Sequence, residues 1–150
     1  MRLITRLLLP VAVLCFAIDQ LSKWWVTGPL DMGYHNPYLA VMPPFLQFQY
    51  AENPGINFGI KVAGPWVLIG LSVAISAGLS WWVSRKGRRD LALGAGLIVG
   101  GALGNAWDRL THGAVIDFIN NACCGFDNPF SYNIADIFIF AGAIWIALRA

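Results

Sequence analysis

Four carboxylates in this chain of 150 residues stand in apolar surroundings: Asp19, Asp108, Asp117 and Asp136. An ionisable group in such a setting is costly, so it either pairs or works. Asp19 and Lys23 are four apart, and on a helix they face and neutralise each other. Asp108 adjoins Arg109, which reads as a structural ion pair or a helix-end network. Asp117, between Ile116 and Phe118, and Asp136, between Ala135 and Ile137, have no basic neighbour in sequence. Two carboxylates sharing a site cannot both ionise easily, so one keeps its proton. That arrangement supplies one base and one acid at neutral pH. The ionised group activates a water and the protonated one polarises a scissile carbonyl. The same pair could instead bind an ion or relay protons in a transporter, and the residues by themselves leave both readings open.

Other chemistry finds little support. There is no GxSxG and no SxxK, and Ser72, Ser76 and Ser80 repeat every four residues, which reads as helix packing. The glycines near residue 100 have no lysine after them, so no phosphate-binding loop is present. His35 and His112 are isolated and no second cysteine pair exists, so neither a zinc site nor any other metal or cofactor is expected. Cys15 falls in an apolar run and reads as packing. Cys123 and Cys124 are adjacent and read as local structure.

The elements that must position the two carboxylates follow from composition. Hydrophobic residues make up 57% of the chain and charged residues 12%, against about 25% charged in a soluble domain; the mean hydropathy is +0.60. A soluble enzyme, a nucleic-acid binder and a disordered tail are excluded in favour of an integral membrane protein. Four stretches approach the roughly 20 apolar residues that a span needs: about 7–26, 65–83, 91–107 and 130–148. The expected fold is therefore an all-α polytopic membrane protein with four transmembrane helices. The first apolar run has no small-x-small site after it, so it reads as an uncleaved span rather than a signal peptide.

Orientation follows from Lys and Arg. With four spans, Arg2, Arg6, Arg85, Lys86, Arg88, Arg89 and Arg149 lie on one side, leaving Lys23, Lys61 and Arg109 for the other. Both termini are then cytoplasmic, and about 28–64 and 108–129 are extracytoplasmic. Asp117 and Asp136 meet at the outer boundary, with Asp136 six residues into the fourth helix, about 9 Å below Phe130. In the first outer segment Phe45–Tyr50 alternates apolar and polar, which predicts a strand with one sheltered face. Residues 51–59 turn at Pro54, Gly55 and Gly59, and the run from Phe58 to Val62 is expected to pair back, giving a small extracytoplasmic sheet. Ala92, Gly96, Gly100 and Gly104 share one helix face and predict close helix packing.

Five blocks of the chain, in order, resemble the lipoprotein signal peptidase (signal peptidase II) family of intramembrane aspartyl proteases. They are Asp19-Gln20-x-x-Lys23; Asn53-x-Gly55-x-x-Phe58; Gly100-Gly101 through Gly104-Asn105 to Asp108-Arg109; Gly113-x-Val115-x-Asp117-Phe118; and Asn133-x-Ala135-Asp136. The resemblance implies one membrane-embedded peptidase domain over 1–150, with a β-sheet cradle, in the bacterial inner membrane. It implies an endopeptidase that cuts prolipoproteins on the amino side of a diacylglyceryl-modified cysteine, with membrane lipids around it, no nucleic acid, and a monomeric state. By motif position Asp117 and Asp136 match the catalytic pair. Asn53, Gly55, Asn105, Arg109 and Asn133 match residues supporting the substrate and the pair. Asp19 and Lys23 match a structural polar site, alongside Asp108. The residues after Gly55, usually small in such families, are here Ile56 and Asn57, which bears on the shape of the outer loop. A non-catalytic membrane subunit and a proton-coupled carrier are the competing classes. Four short helices with a single polar cluster suit neither a pore nor alternating access.

Overall fold

The computed structural model describes residues 2–57, 60–61, 64–123 and 128–150, with side chains from residue 6 onward except at 56–63 and 124–127. Phe58, Val62 and Cys124 lie outside the described residues. Four helices, α1 (Arg2–Thr27), α2 (Pro65–Lys86), α3 (Arg89–His112) and α4 (Ile134–Arg149), carry five strands between them. Strands β1 (Tyr38–Met42), β2 (Leu46–Asn53) and β5 (Val115–Asn120) form one antiparallel sheet in the order β1-β2-β5. The short strands β3 (Ile56–Asn57) and β4 (Ile60–Lys61) pair only with each other.

Helix α3 is the hub, and glycine and alanine make it one. On one face, a Cβ at Gly96, Gly100 or Gly104 would stand under 3 Å from Val11, Ala12 or Asp19 of α1. On another face, Gly94 and Gly101 bring it equally close to Trp145, Ile146 and Ala135 of α4. Without side chains at these positions the helix backbones approach closely enough for short polar side chains to bridge between them. The expected stripe at 92, 96, 100 and 104 is thus the α1 contact. Helix α2 covers a third side and ends at Gly87, whose φ of 67° lets its N–H donate to the Val83 carbonyl.

The distribution of side chains is inverted relative to a soluble bundle. Buried polar residues include Asp19, Lys23, Asn105, Asp108, Asp117, Asn120 and Asn133. Large apolar residues such as Leu9, Leu14, Val67, Leu71, Phe140 and Leu148 face outward. Among the described helices, two are long and apolar enough to cross a membrane by length and composition, Arg6–Thr27 and Pro65–Lys86. Helix α3 carries Asn105, Asp108 and Arg109, and α4 has only 16 residues.

Two expectations are corrected here. The fourth helix does not begin at Phe130. Tyr132 instead bonds through its backbone to Ile119 beside β5, and Asn133 caps a helix that starts at Ile134. Asp136 therefore stands in the first turn of α4, not six residues inside it. The alternating segment does form a strand, with Leu46, Phe48 and Tyr50 packed on the cluster of Val26, Met32 and Phe118. Its partners are β1 and β5; of the run from Phe58 to Val62 only Ile60–Lys61 is described, and it pairs back on Ile56–Asn57 rather than on this strand.

Candidate active site

The site forms where β5 and the start of α4 meet the C-terminal half of α3. β5 is buried along its whole length, so Asp117 is only 4% exposed. β5 and β2 pair so that Asp117 lies opposite Ala51 and Val115 opposite Asn53. Asn53 is thus the diagonal neighbour of Asp117, and its Nδ2 reaches Asp117 Oδ2 at 3.4 Å. The Oδ1 of Asn53 accepts the Gly55 N–H at 3.0 Å. Gly55 has φ 92°, a region a side chain rarely tolerates. Gly55 therefore acts by fixing Asn53 at the end of its strand.

Asn133 joins the two carboxylates. Its Nδ2 donates to Asp117 Oδ1 at 2.7 Å. Its Oδ1 accepts the Asp136 N–H at 3.0 Å, and its own N–H donates to Asp136 Oδ2 at 3.3 Å. This is a capping box, in which residue and helix start hold each other. From α3, Asn105 Nδ2 donates to the other oxygen, Asp136 Oδ1, at 2.9 Å. Asn105 Oδ1 in turn accepts from Asn133 Nδ2 at 3.1 Å. Burial, and after it the charge of Asp136, push the Asp117 carboxyl up to about 7, while the N–H donors of Asn133 and Asn53 pull the other way.

Behind this pair lies a second polar cluster. Lys23 Nζ is 2.7 Å from Asp19 Oδ2 and 2.7 Å from Asp108 Oδ2, with all three side chains at most 4% exposed. The expected Asp19–Lys23 pair is present. Of the two readings of Asp108, the structure shows the helix-end network rather than a pair with Arg109: neighbours on a helix point about 100° apart, and Lys23 reaches Asp108 from α1. Asp108 Oδ2 also accepts the Ile116 N–H at 3.3 Å, tying α3 to β5. Arg109 Nη1 donates to the Asn105 carbonyl at 3.3 Å, and its buried Nε has no partner among the described residues. Gln20 bridges Asp19 and Asp108 at 3.1 and 2.9 Å. It was assigned no role from sequence, and its place beside Asp19 in a polar pentad was the available signal. Asp19 Oδ1 accepts the Ala135 N–H at 3.0 Å, so this cluster also anchors the first turn of α4.

Two apolar cavities flank the carboxylates. One of about 570 Å³ runs along α4 from Tyr132 and Asp136 past Ile137 and Phe140 to Ile144. The other, about 270 Å³, lies between α2 and α3, where Leu68, Leu71, Ile75 and Ile98 lead to Asn105 and Arg109. Cys123 is disulfide-bonded, and Cys15 is a buried free thiol.

The chain is similar in sequence and in fold to known proteins. The family described as Signal peptidase (SPase) II matches residues 11–150. A lipoprotein signal peptidase of Methylorubrum extorquens (strain PA1) is 40% identical over 136 residues, covering 88% of this chain and 78% of that protein. One of Beijerinckia indica subsp. indica is 36% identical over 143 residues, covering 93% and 84%. A solved bacterial membrane enzyme, crystallised in meso and described at 1.9 Å, superposes with a TM-score of 0.82 at 27% identity, covering 95% of this chain and 90% of that one. The chain belongs to the signal peptidase II family, a class of aspartic endopeptidases.

Proposed function

We infer that the chain is a lipoprotein signal peptidase, removing signal peptides from prolipoproteins, and that Asp117 and Asp136 are its catalytic pair. The observation that carries the assignment is their joint attachment to Asn133. One side chain holds two carboxylates from different elements at one place, and among the described side chains no basic group forms an ion pair with either of them. Burial and the charge of Asp136 raise the Asp117 carboxyl to about 7, which lets it serve as the proton donor near neutral pH. One carboxylate takes a proton from water as the water oxygen attacks the scissile carbonyl. The other gives its proton to the carbonyl oxygen. Collapse of the tetrahedral intermediate breaks the C–N bond, with the proton delivered to the leaving nitrogen.

In this reading the substrate is cut on the amino side of a diacylglyceryl-modified cysteine. The two apolar cavities beside the pair suit acyl chains and an apolar peptide, and partitioning of the acyl chains into the membrane, worth about 0.8 kcal/mol per buried CH₂, brings the substrate to them. Asn53 and the free Nε of Arg109 are placed to hold peptide carbonyls. Asn105 and Asn133 orient the carboxylates. All four helices span the inner membrane, both termini are cytoplasmic, the pair faces outward, and the enzyme acts as a monomer. The outward-facing apolar residues and the basic run from Arg85 to Arg89 support this placement. Lipidated and unlipidated forms of one prolipoprotein, incubated with the purified protein in the same detergent, test the substrate. Preferential cleavage of the lipidated form is expected. Equal cleavage of both would make it a general membrane protease.

A further inference from the structure

The buried cluster of Asp19, Lys23 and Asp108 does more than tie α1 to α3. Lys23 Nζ lies 3.3 Å from Asn105 Oδ1, on the side away from Asp136. That oxygen therefore accepts from two donors, an ammonium and the Asn133 amide. Reversing the Asn105 amide would set an NH₂ group against a buried cation and against a second NH₂. In an apolar setting each lost bond is costly, and more so where a charge is involved. The amide is held one way, and its NH₂ has to face Asp136 Oδ1. Asp136 then has an N–H on each oxygen, one from Asn105 and one from the Asn133 backbone. Asp117 likewise has an N–H on each oxygen, from Asn133 at 2.7 Å and from Asn53 at 3.4 Å. The two carboxyls differ in setting: Asp117 is 4% exposed, whereas Asp136 is half-buried and lines the cavity along α4. Desolvation disfavours the charge on the more buried of the two.

We propose that Lys23 is a positioning residue for hydrolysis: by locking the amide of Asn105, it makes Asp136 the water-activating carboxylate and leaves the proton of the pair on Asp117. The step then balances as follows. Asp136 takes a proton from water while the new C–O bond forms, and Asp117 protonates the carbonyl oxygen. On collapse Asp136 returns its proton to the departing nitrogen as the C–N bond breaks. A hydroxyl of the intermediate restores the proton of Asp117. Among the described side chains, the charged groups on the elements packed around Asp136 are Asp19 and Lys23 from α1, Asp108 and Arg109 from α3, and Asp117 from β5; α2 carries none before Arg85. Asp19 and Asp108 offset Lys23 as a bare charge. Its influence therefore runs through the oriented amide that it touches.

This inference rests on the catalytic pair assigned above and is tested in a charge-balanced background. Lys23→Met by itself strands two buried carboxylates, so it is combined with Asp19→Asn. Asn can still accept the Ala135 N–H, and the cluster keeps the parent's net charge, with Asp108 still accepting from Gln20 and from the Ile116 N–H. The reference is therefore the parent protein. The double variant is expected to move the acidic limb of the kcat/KM–pH profile upward by about one unit, a tenfold loss on that limb. A merely structural lysine would change the melting temperature and leave the limb in place, and that result overturns the proposal. If the double variant does not accumulate, infrared titration of the folded single variants decides, each referenced to Asp117→Asn/Asp136→Asn. The lone Asp117 of Asp136→Asn is expected to protonate at higher pH than the lone Asp136 of Asp117→Asn. The reverse order overturns the proposal. Cleavage by either single variant would instead remove the catalytic pair itself, so the two failures are separable.

Discussion

Asn133 Nδ2 donates to Asp117 Oδ1 at 2.7 Å while the same side chain caps the helix that carries Asp136. Strand β5 and helix α4 are thereby docked by the residue that also sets the distance between the two carboxylates. Folding and chemistry meet in one amide.

Cap and donor can be separated. Asn133→Ser keeps a capping oxygen but is too short to reach Asp117. It should stay folded and lose activity by about 100-fold, comparable to removing one oriented donor from an active site. Asn133→Ala loses the cap as well, for about 1 kcal/mol of further stability. Rates against a lipidated prolipoprotein, together with thermal unfolding in detergent, check both values. Full activity in the Ser variant would contradict the role given to the amide.

The elevated Asp117 carboxyl predicts two pH effects. Activity needs its proton, so kcat/KM should decline above about pH 7. Stability moves in the same direction. A carboxyl raised in the folded state binds its proton more tightly there than in the unfolded chain. Its contribution is complete below the ordinary value near 3.8 and is lost as pH rises to about 7. Melting temperature should therefore drop less across that window in Asp117→Asn than in the parent.

Gly104 has no room for a side chain. A Cβ there would stand 2.6 Å from Asp19 Oδ2, an atom already fixed by Lys23 and Gln20. Gly104→Ala should cost about 1–3 kcal/mol or more from overpacking. Gly78→Ala, where a Cβ meets nothing within 4 Å, should be neutral. Detergent thermal shifts of the two variants make the comparison.

Orientation has its own test. A reporter active only outside the cytoplasm should work when inserted near Asn121 and fail near Gly87. The opposite pattern would place the carboxylate pair on the wrong side of the membrane for its substrate.

The two carboxylates proposed as the catalytic pair stood out in the sequence because each stands alone in an apolar run, where an unpaired charge has to be explained. The hub role of α3 was half legible. The stripe at 92, 96, 100 and 104 marked one close face, while Gly94 and Gly101, which meet α4, fall outside that period. Three features were hidden for physical reasons. Phe130 and Tyr132 continue the apolar composition of α4, so hydropathy runs past the point where Asn133 stops the helix. β5 is buried on both faces and shows no alternation to read. The partner of Asp108 lies 85 residues away on α1, and only packing brings Lys23 to it.

The central claim is that Asp117 and Asp136 act together. The most direct measurement is cleavage of a diacylglyceryl-modified prolipoprotein by purified Asp117→Asn, Asp136→Asn and the double variant, each verified as folded by its thermal transition. Residues that act as a unit are strongly non-additive. Both single variants should therefore be inactive, and the double variant should be no worse than either. Cleavage at the parent rate by either single variant would contradict the account.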